Sequence, residues 1–352
     1  MLRKSANQAR TRSEMEALRH TTSNCEKLGF QPPEPVETLR SIAHLFGSSK
    51  SRCGIYLLAF RDHQFYIGQS VNVVSRFSQH RQEWDDLVGF SFLPVRQSQL
   101  NDVEERLIRD AEELGMVIRN RLHTSIVVGD TDLDLILAPE EQDAWLASPK
   151  QFNKRDPASL MELPSGQVEK FRHHYRRFLD QPQSANVIRL LTTYIHECLP
   201  APQRTEYSFW SLSCMPSTNA ATWPRLACIN VGGMEVFVLG HYKDAPWKLW
   251  GFVNVATDAL AEKYGNAREL IAAFPGIRFS TARPYRDAGQ FQIRLEADDQ
   301  DFFQLMADSC VMRAAATLAL RVMRKRPTFF GKHHCKLLSN AILNADTGAG
   351  SN

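Results

Sequence analysis

The stretch GIYLLAFRDHQFYIG, residues 54–68, constrains the fold more than any other part of the chain. Two apolar runs flank a polar turn, and this pattern is typical of a β-hairpin. Gly54 and Tyr56 begin the first run and Tyr66 and Gly68 end the second, so antiparallel pairing places all four at the open end of the hairpin. Glycine weakens a strand unless another group approaches closely, and a buried tyrosine needs a partner for its hydroxyl. The pattern therefore predicts a functional site at this end.

The segments after the hairpin predict a compact α/β module over residues 51–130. The run VNVVSRFSQHRQEW has the apolar spacing of a helix, on which Arg76 and His80 lie four positions apart on one face. A strand, LVGFSFLPV, precedes a second helix, QLNDVEERLIRDAEELG. Its apolar stripe is formed by Leu100, Val103, Leu107, Ala111 and Leu114. Glu104 borders that stripe, whereas Glu105 faces nearer to solvent.

These residues resemble the motifs of the GIY-YIG nuclease superfamily over residues 52–122, about a fifth of the chain. The triplets GIY and YIG are both literal, an arginine follows the second tyrosine by ten residues, and a histidine follows four residues later. A glutamate in the next helix and an asparagine at the end of the module complete the resemblance. The resemblance implies catalytic roles for Tyr56, Tyr66, Arg76, His80, Glu104 and Asn120, with Gly54 and Gly68 shaping the site.

The implied chemistry is hydrolysis of DNA phosphodiester bonds. This reaction needs an activated water, charge relief on the phosphate and a proton for the leaving oxygen. One carboxylate implies a single hydrated Mg²⁺ (or Mn²⁺) held by Glu104, although Glu105 stays open as an alternative ligand. Arg76 would clamp the phosphate. Tyr56 would accept the proton of the water, either as a phenolate or with help from His80, and Tyr66 would orient water or phosphate.

The length of 352 residues predicts more than one domain. The fold class expected is an α/β GIY-YIG module with a small mixed sheet flanked by helices, followed by a helical connector and a C-terminal α+β domain. In the N-terminal segment, PVETLRSIAHLFG reads as one amphipathic helix that ends at Gly47. The expected divisions are a helical segment over 1–50, the nuclease module over 51–130, the connector over 131–202, the α+β domain over 203–344 and a disordered tail over 345–352.

The composition excludes several classes of protein. A hydrophobic content of 43% with 23% charged residues is ordinary for a globular chain, and no apolar run has the length of a membrane span. The N-terminus lacks the apolar core of a signal peptide, so we expect a cytoplasmic protein. Seven isolated cysteines favour neither a disulfide framework nor a zinc site. The oligomeric state is left open.

The distribution of charge suggests where DNA binds. Residues 51–130 carry nine Lys/Arg and eleven Asp/Glu, so the module leans acidic, and phosphate contacts are expected elsewhere. No acidic residue occurs between Asp308 and Asp346, where Phe329 and Phe330 lie among cations. The residues predicted to bind nucleic acid are Arg321, Arg324, Lys325, Arg326, Lys332 and Lys336. The alternative is a buried amphipathic helix that ends in ordinary cations.

Two other functions remain open. A non-catalytic DNA-binding protein would be expected to lose Tyr56, Arg76 or Glu104, yet all three are present. A C-terminal domain that senses a ligand or partner could instead control the nuclease, with a pocket lined by Trp210, Trp223, Trp247 and Trp250. The sequence distinguishes neither DNA from RNA nor repair from restriction, mobile-element or defence roles.

Overall fold

The computed structural model describes residues 23–47, 51–127, 129–149, 165–218, 220–280 and 285–344. The chain divides into two compact units, Met1–Gly129 and Asp130–Asn352. Each unit combines helices with an antiparallel sheet, of four strands in the first and six in the second. The chain is therefore a mixed α/β protein with two sheets. Within the described ranges, every helix is too short or too polar to cross a lipid bilayer.

In its described part, the first unit contains a helical stretch over residues 23–27, followed by four strands and two further α-helices. These are β1 (Glu34–Pro35), β2 (Gly54–Phe60), β3 (Phe65–Ser70), α1 (Val73–Glu83), β4 (Leu87–Pro94) and α2 (Leu100–Glu113), with 3₁₀ turns at Ala43–Leu45 and Gln97–Gln99. The strand order is β1-β4-β2-β3, and the predicted hairpin forms the pair β2–β3. Its register places Tyr56 opposite Gly68.

The sheet of the first unit differs from the mixed sheet expected. All of its named strand pairs are antiparallel, because β4 returns beside β2 after helix α1. Among the described residues of this unit, parallel pairing occurs at an isolated bridge between Phe65 and Ile118. The segment after α2 thus touches the sheet edge at one point without forming a strand.

Strand β2 is buried along its whole length because helices cover both faces of the sheet. On one face, Ile55 and Leu57 belong to a core with Leu107 and Ile108 of α2. On the other face, Tyr56 and Leu58 share a second core with Val73, Phe77 and Phe90. A strand that is buried on both faces reads as a continuous apolar run, as GIYLLAF does.

The helix predicted over residues 35–47 is not present. Pro35 instead pairs with Gly89 in the edge strand β1, and the amide of Val36 donates to the carbonyl of Val88. The helical part of this stretch is a single 3₁₀ turn, Ala43–Leu45. The apolar spacing arises because Val36, Ile42 and Phe46 pack into the core beside α1 as parts of an irregular segment.

The second unit contains the remaining elements. The helices are α3 (Pro139–Ala147), α4 (Ser165–Glu169), α5 (Arg172–Leu179), α6 (Ser184–Cys198), α7 (Pro202–Thr205), α8 (Thr257–Ala261), α9 (Ala267–Ala273), α10 (Asp299–Ala307), α11 (Ser309–Lys325) and α12 (Lys336–Leu343), with 3₁₀ turns at Asp132–Leu135 and Gly331–His333. The strands are β5 (Trp210–Cys214), β6 (Arg225–Val231), β7 (Met234–Tyr242), β8 (Ala245–Ala256), β9 (Arg278–Ser280) and β10 (Gln292–Asp298). Their order is β5-β6-β7-β8-β10-β9.

One large core joins the sheet of the second unit to its helices. The central helix α11 is capped at its N-terminus by Asp308, whose carboxylate accepts from the amides of Cys310 and Val311. Trp145, Phe178 and Leu191, from the stretch expected to be a separate connector, belong to this same core. The described part of 131–202 is therefore helical but packs as one unit with the sheet. The tail over 345–352 lies outside the described residues.

Candidate active site

The open end of the β2–β3 hairpin brings together the predicted site residues. The hydroxyl of Tyr56 lies 2.8 Å from Nε2 of His80 and 3.4 Å from Nε of Arg76. The ring of Tyr66 lies 6.2 Å from that of Tyr56, centroid to centroid. Arg76 and His80 meet the same hydroxyl because they are one turn apart on α1. Residues from two strands and a helix therefore converge on one oxygen atom.

The two glycines of the motif have different roles. A Cβ at Gly68 would overlap the hydroxyl oxygen of Tyr56, its cross-strand neighbour, so only glycine lets this hydroxyl sit over β3. A Cβ at Gly54 would overlap the carbonyl oxygen of Leu93 on β4. Gly68 thus shapes the site directly. Gly54 instead permits the close approach of two strands, which the sequence pattern did not reveal.

The protonation states of the cluster follow from its burial. Tyr56 is 1% exposed, and burial, followed by the neighbouring Tyr66, raises its pKa well above the ordinary value despite its contact with Arg76. Burial, together with the charge of Glu104, also raises the pKa of Tyr66. His80 is buried as well, so its pKa is lowered by burial and then by the charge of Arg76. The cluster therefore holds neutral tyrosines beside a neutral imidazole.

The hydrogen bonds assign a direction to the Tyr56–His80 contact. Arg76 donates to the oxygen of Tyr56, so the hydroxyl proton is available to the Nε2 lone pair of neutral His80. The other ring nitrogen, Nδ1, then carries the proton and lies 3.5 Å from Oε2 of Glu83. That distance is long for a hydrogen bond but suits an ion pair with a protonated ring. His80 is therefore placed to receive a proton from Tyr56.

Trp84 supports the histidine, although the sequence pattern did not single it out. Its ring stacks on that of His80, with centroids 4.7 Å apart and an interplanar angle of 5°. The same tryptophan lies 5.2 Å from the ring of Tyr66. An aromatic face favours a cation above it, so this stack would stabilise a protonated His80. Trp84 ends α1, and no local sequence signal predicts its side-chain direction.

Glu104 reaches the cluster from helix α2. Its carboxylate accepts a hydrogen bond of 2.8 Å from the amide of Gln69, which also donates to Asn101 at 2.7 Å. The charge of Glu104 acts on both Tyr56 and Tyr66, where it raises the pKa of each hydroxyl. Gln69 is a second residue that the sequence analysis missed. The only hint in the sequence that Gln69 belongs to the site is its position directly after Gly68.

Asn120 lies against strand β3 and bonds to its backbone. It is 5% exposed, and its amide both accepts from the backbone N–H of Ile67 at 3.0 Å and donates to the carbonyl of Ile67 at 2.6 Å. The side chain is thereby committed to the backbone of β3. Asn120 holds the strand next to Gly68.

The donor set suits a hard divalent cation more than a transition metal. Across the described ranges, no group of three or more His, Cys, Asp or Glu side chains is arranged to hold a metal ion. Glu104 is half-buried and its charge acts on the tyrosine hydroxyls, so the groups around it offer oxygen ligands. Mg²⁺ is commonly held by one or two carboxylates, water and substrate phosphate. The residues present therefore fit such an ion.

The cations predicted to bind nucleic acid do not form an open basic surface. Contacts with carboxylates join Arg321 to Asp258, Arg324 to Asp134, Arg326 to Asp287 and Lys336 to Glu206. Lys325 is 2% exposed, and Lys332 is exposed. Helix α11 is largely buried. This burial agrees with the alternative considered from the sequence, a buried amphipathic helix that ends in ordinary cations. The positive charges of the acid-free span, residues 309–345, are therefore balanced by carboxylates from distant parts of the chain.

The four tryptophans of the second unit do not line a common pocket. Trp210 is fully buried in the main core and Trp250 is 8% exposed, whereas Trp223 and Trp247 are 53% and 67% exposed. Trp223 and Trp250 lie near each other, with ring centroids 6.1 Å apart. The tryptophans thus divide between packing and surface positions.

Comparison of the chain with protein-family models, with curated proteins and with solved structures finds no match in any of the three.

Proposed function

We propose that the first unit is a divalent-metal-dependent endonuclease of the GIY-YIG type that hydrolyses phosphodiester bonds in DNA. The observation that carries the proposal is the position of the Tyr56 hydroxyl, between Nε2 of His80 and Nε of Arg76. Glu104 comes from helix α2, which packs on the other face of the sheet, and its charge acts on Tyr56 and Tyr66. A cation, a proton relay and a carboxylate are the three groups that this hydrolysis needs.

Arg76 and Tyr66 would bind the substrate. Arg76 is half-buried, and contact with Tyr56 raises its pKa, so its guanidinium is charged at the rim of the cluster. Its planar fork matches two phosphate oxygens and would hold the scissile phosphate beside Tyr56. Tyr66 is also half-buried and would donate its hydroxyl to a phosphate oxygen or to the attacking water.

Tyr56 and His80 would move the proton. A free phenolate is disfavoured here because burial raises the pKa of Tyr56. The phenol can nevertheless take a proton from the attacking water while it passes its own proton to Nε2 of His80. The stacked Trp84 and the carboxylate of Glu83 then stabilise the protonated ring. Of the two roles open from the sequence, this geometry favours the relay through His80.

Glu104 would hold the divalent ion, Mg²⁺ or Mn²⁺, with Gln69 fixing the orientation of the carboxylate. Such an ion stabilises charge on the phosphate and lowers the pKa of a bound water.

The test is incubation of the full-length protein with supercoiled, linear, single-stranded and branched DNA, with and without Mg²⁺ or Mn²⁺. We expect metal-dependent cleavage of at least one substrate. Replacing the carboxylate in Glu104→Ala should lower the rate by about a hundredfold or more, the scale for removing a group that stabilises the transition state. Glu105→Ala, on the same helix, is the matched control and should change the rate little.

Absence of cleavage on every substrate with both metals would reject the nuclease. A large loss in Glu105→Ala with a small one in Glu104→Ala would keep the nuclease but exchange the two glutamates. The folded state of each variant is checked by circular dichroism, so that loss of activity is not confused with unfolding.

A further inference from the structure

A cavity of about 280 Å³ lies in the second unit and is lined by residues of β5, β6 and β7 together with Phe171 and Phe330. Along β6, Ile229 and Val231 belong to the main core, whereas Cys228 belongs to the small cluster on the other face and Asn230 lines the cavity. Successive side chains of a strand point to opposite faces of the sheet, and these residues follow that rule. The volume is just below the about 300–1,000 Å³ of typical small-molecule sites, so the cavity suits a group smaller than a drug-sized ligand.

The floor of the cavity is polar and deeply buried. Arg225 and Asn230, both from β6, are 9% and 5% exposed and line it together with Glu235. Arg225 pairs with Glu235, yet within the described ranges its Nε has no hydrogen-bond partner, and neither does Nδ1 of His174, which also lines the cavity. Buried polar groups are usually satisfied, so such groups beside a cavity are available to a polar ligand. The floor offers both donors and acceptors.

The walls of the cavity are aromatic, and two lysines lie close to them. Phe171 and Phe330 come from segments on either side of the sheet in sequence and line the cavity together. Lys170 lies 5.1 Å from the ring of Phe171 and donates to the carbonyl of Lys332 at 2.8 Å. The charges of both lysines act on His333, another lining residue, whose pKa is lowered by burial and then by Lys332 and Lys170. Two exposed lysines therefore lie close to the lining residues Phe171 and His333.

Aromatic walls, an amide and an arginine–glutamate pair on the floor, and cations close to the walls together match one class of ligand. Nucleobases stack on aromatic side chains and present edges with both donors and acceptors, and each carries its phosphate outside the plane of the base. A simple anion site would not need the aromatic walls, and an apolar ligand would leave the floor unsatisfied.

We propose that this cavity binds a nucleotide, with the base between Phe171 and Phe330 over Asn230 and the phosphate at Lys170 and Lys332. The source is either a free mononucleotide or the terminal nucleotide of a strand, which share this chemistry. This assignment does not depend on the nuclease activity of the first unit, because the cavity lies wholly within the second unit. It also gives Lys332 a ligand, whereas the other cations of the acid-free span are paired or buried.

The test is calorimetric titration of the full-length protein in EDTA, which removes divalent metal. The probes are the four deoxynucleoside 5′-monophosphates, the matching nucleosides and inorganic phosphate. We expect one monophosphate to bind at least about tenfold more tightly than its nucleoside or phosphate alone, the scale of one charged hydrogen bond. Lys332→Glu should weaken this binding about tenfold or more, whereas Lys243→Glu, an exposed lysine on the β7–β8 turn, should leave it unchanged.

A 5′-phosphorylated single-stranded oligonucleotide then identifies the source. Competition with the mononucleotide supports a strand end as ligand, and absence of competition supports a free nucleotide. The proposal is overturned if no monophosphate binds at millimolar concentration, if phosphate binds as tightly as the nucleotide, or if Lys332→Glu and Lys243→Glu bind equally. None of these results bears on DNA cleavage, so the two proposals fail separately.

Discussion

Two buried polar clusters, one in each unit, differ in the groups that surround their histidines. In the second unit, Glu206 is fully buried and accepts from His334, Lys336 and Ser339. In the first unit, Tyr56 is just as buried but meets a neutral His80, with half-exposed Arg76 beside it.

The two clusters differ in how their charges are balanced. Burial raises the pKa of Glu206, but the hydrogen bonds from His334 and Lys336 and the charge of Lys336 outweigh burial, so the net pKa is lowered. Nδ1 of His334 accepts from the amide of Leu212, which fixes the ring. At Tyr56 the pKa is raised instead, and an exchangeable proton lies between two neutral groups. A compensated cluster stabilises the fold, and a cluster with a mobile proton beside an open rim is suited to catalysis.

The largest predicted effect is on the stability of the second unit, and it tests whether the Glu206 cluster is structural. Glu206→Ala leaves Lys336 buried without its carboxylate, so the free energy of unfolding should fall by about 3–5 kcal/mol. Glu262→Ala is the control, since the Glu262–Arg313 pair is exposed and should contribute about 1 kcal/mol or less. Urea titration measures both, and equal losses would contradict a structural role for the buried cluster.

The same cluster predicts a pH dependence. Because the pKa of Glu206 in the folded protein is lowered, its contribution is fully present above the ordinary value of 4.5. That contribution is lost as the pH falls through the lower folded value. The stability difference between the wild type and Glu206→Ala should therefore shrink under acid conditions.

The next effect is on catalysis through Arg76. Arg76→Ala should lower the DNA cleavage rate by about a hundredfold or more, because the phosphate loses its clamp. Arg76→Lys should not restore the rate, since an ammonium lacks the planar fork. Arg106→Ala, an exposed arginine on α2, is the control. Full activity in Arg76→Lys would mean that this position supplies only a charge.

Tyr56→Phe keeps the ring but removes the proton relay, so cleavage should fall by about a hundredfold, the lower range for losing a general base. In the wild type, kcat/KM should be flat above the ordinary His value of 6.5 and fall at a lower pH, because only neutral His80 accepts the proton. His80→Gln should lose this acid limb. A near-normal rate in Tyr56→Phe at neutral pH would exclude the relay.

The smallest effect concerns Gln69. Gln69→Leu removes the hydrogen bond to Glu104, and we expect the Mg²⁺ concentration for half-maximal cleavage to rise about tenfold, the lower range for a residue that orients a metal ligand. The rate at saturating Mg²⁺ should recover, which a loss of fold would not allow. Gln82→Leu, at an exposed position on α1, is the control. An unchanged Mg²⁺ dependence would remove Gln69 from the site.

The sequence by itself determined the local elements of the first unit. Alternation and turn residues predict the hairpin, and the four-residue spacing of Arg76 and His80 places them on one helix face, because both patterns follow from backbone geometry. The same reasoning failed over residues 35–47, where apolar spacing reflects packing of an irregular segment on the core. The spacing of apolar residues cannot distinguish the buried face of a helix from an irregular segment that packs on the core.

Only the tertiary structure decided which charges and amides are available. Lys336 and Glu206 are 130 residues apart, and Arg326 and Asp287 are 39 apart, so the charge of a local span says little about its net field. Asn120 meets the backbone of Ile67 across 53 residues, and Gln69 meets Glu104 across 35. Such pairings depend on the three-dimensional path of the chain, because electrostatic and hydrogen-bond energies follow distance in space and not position in sequence.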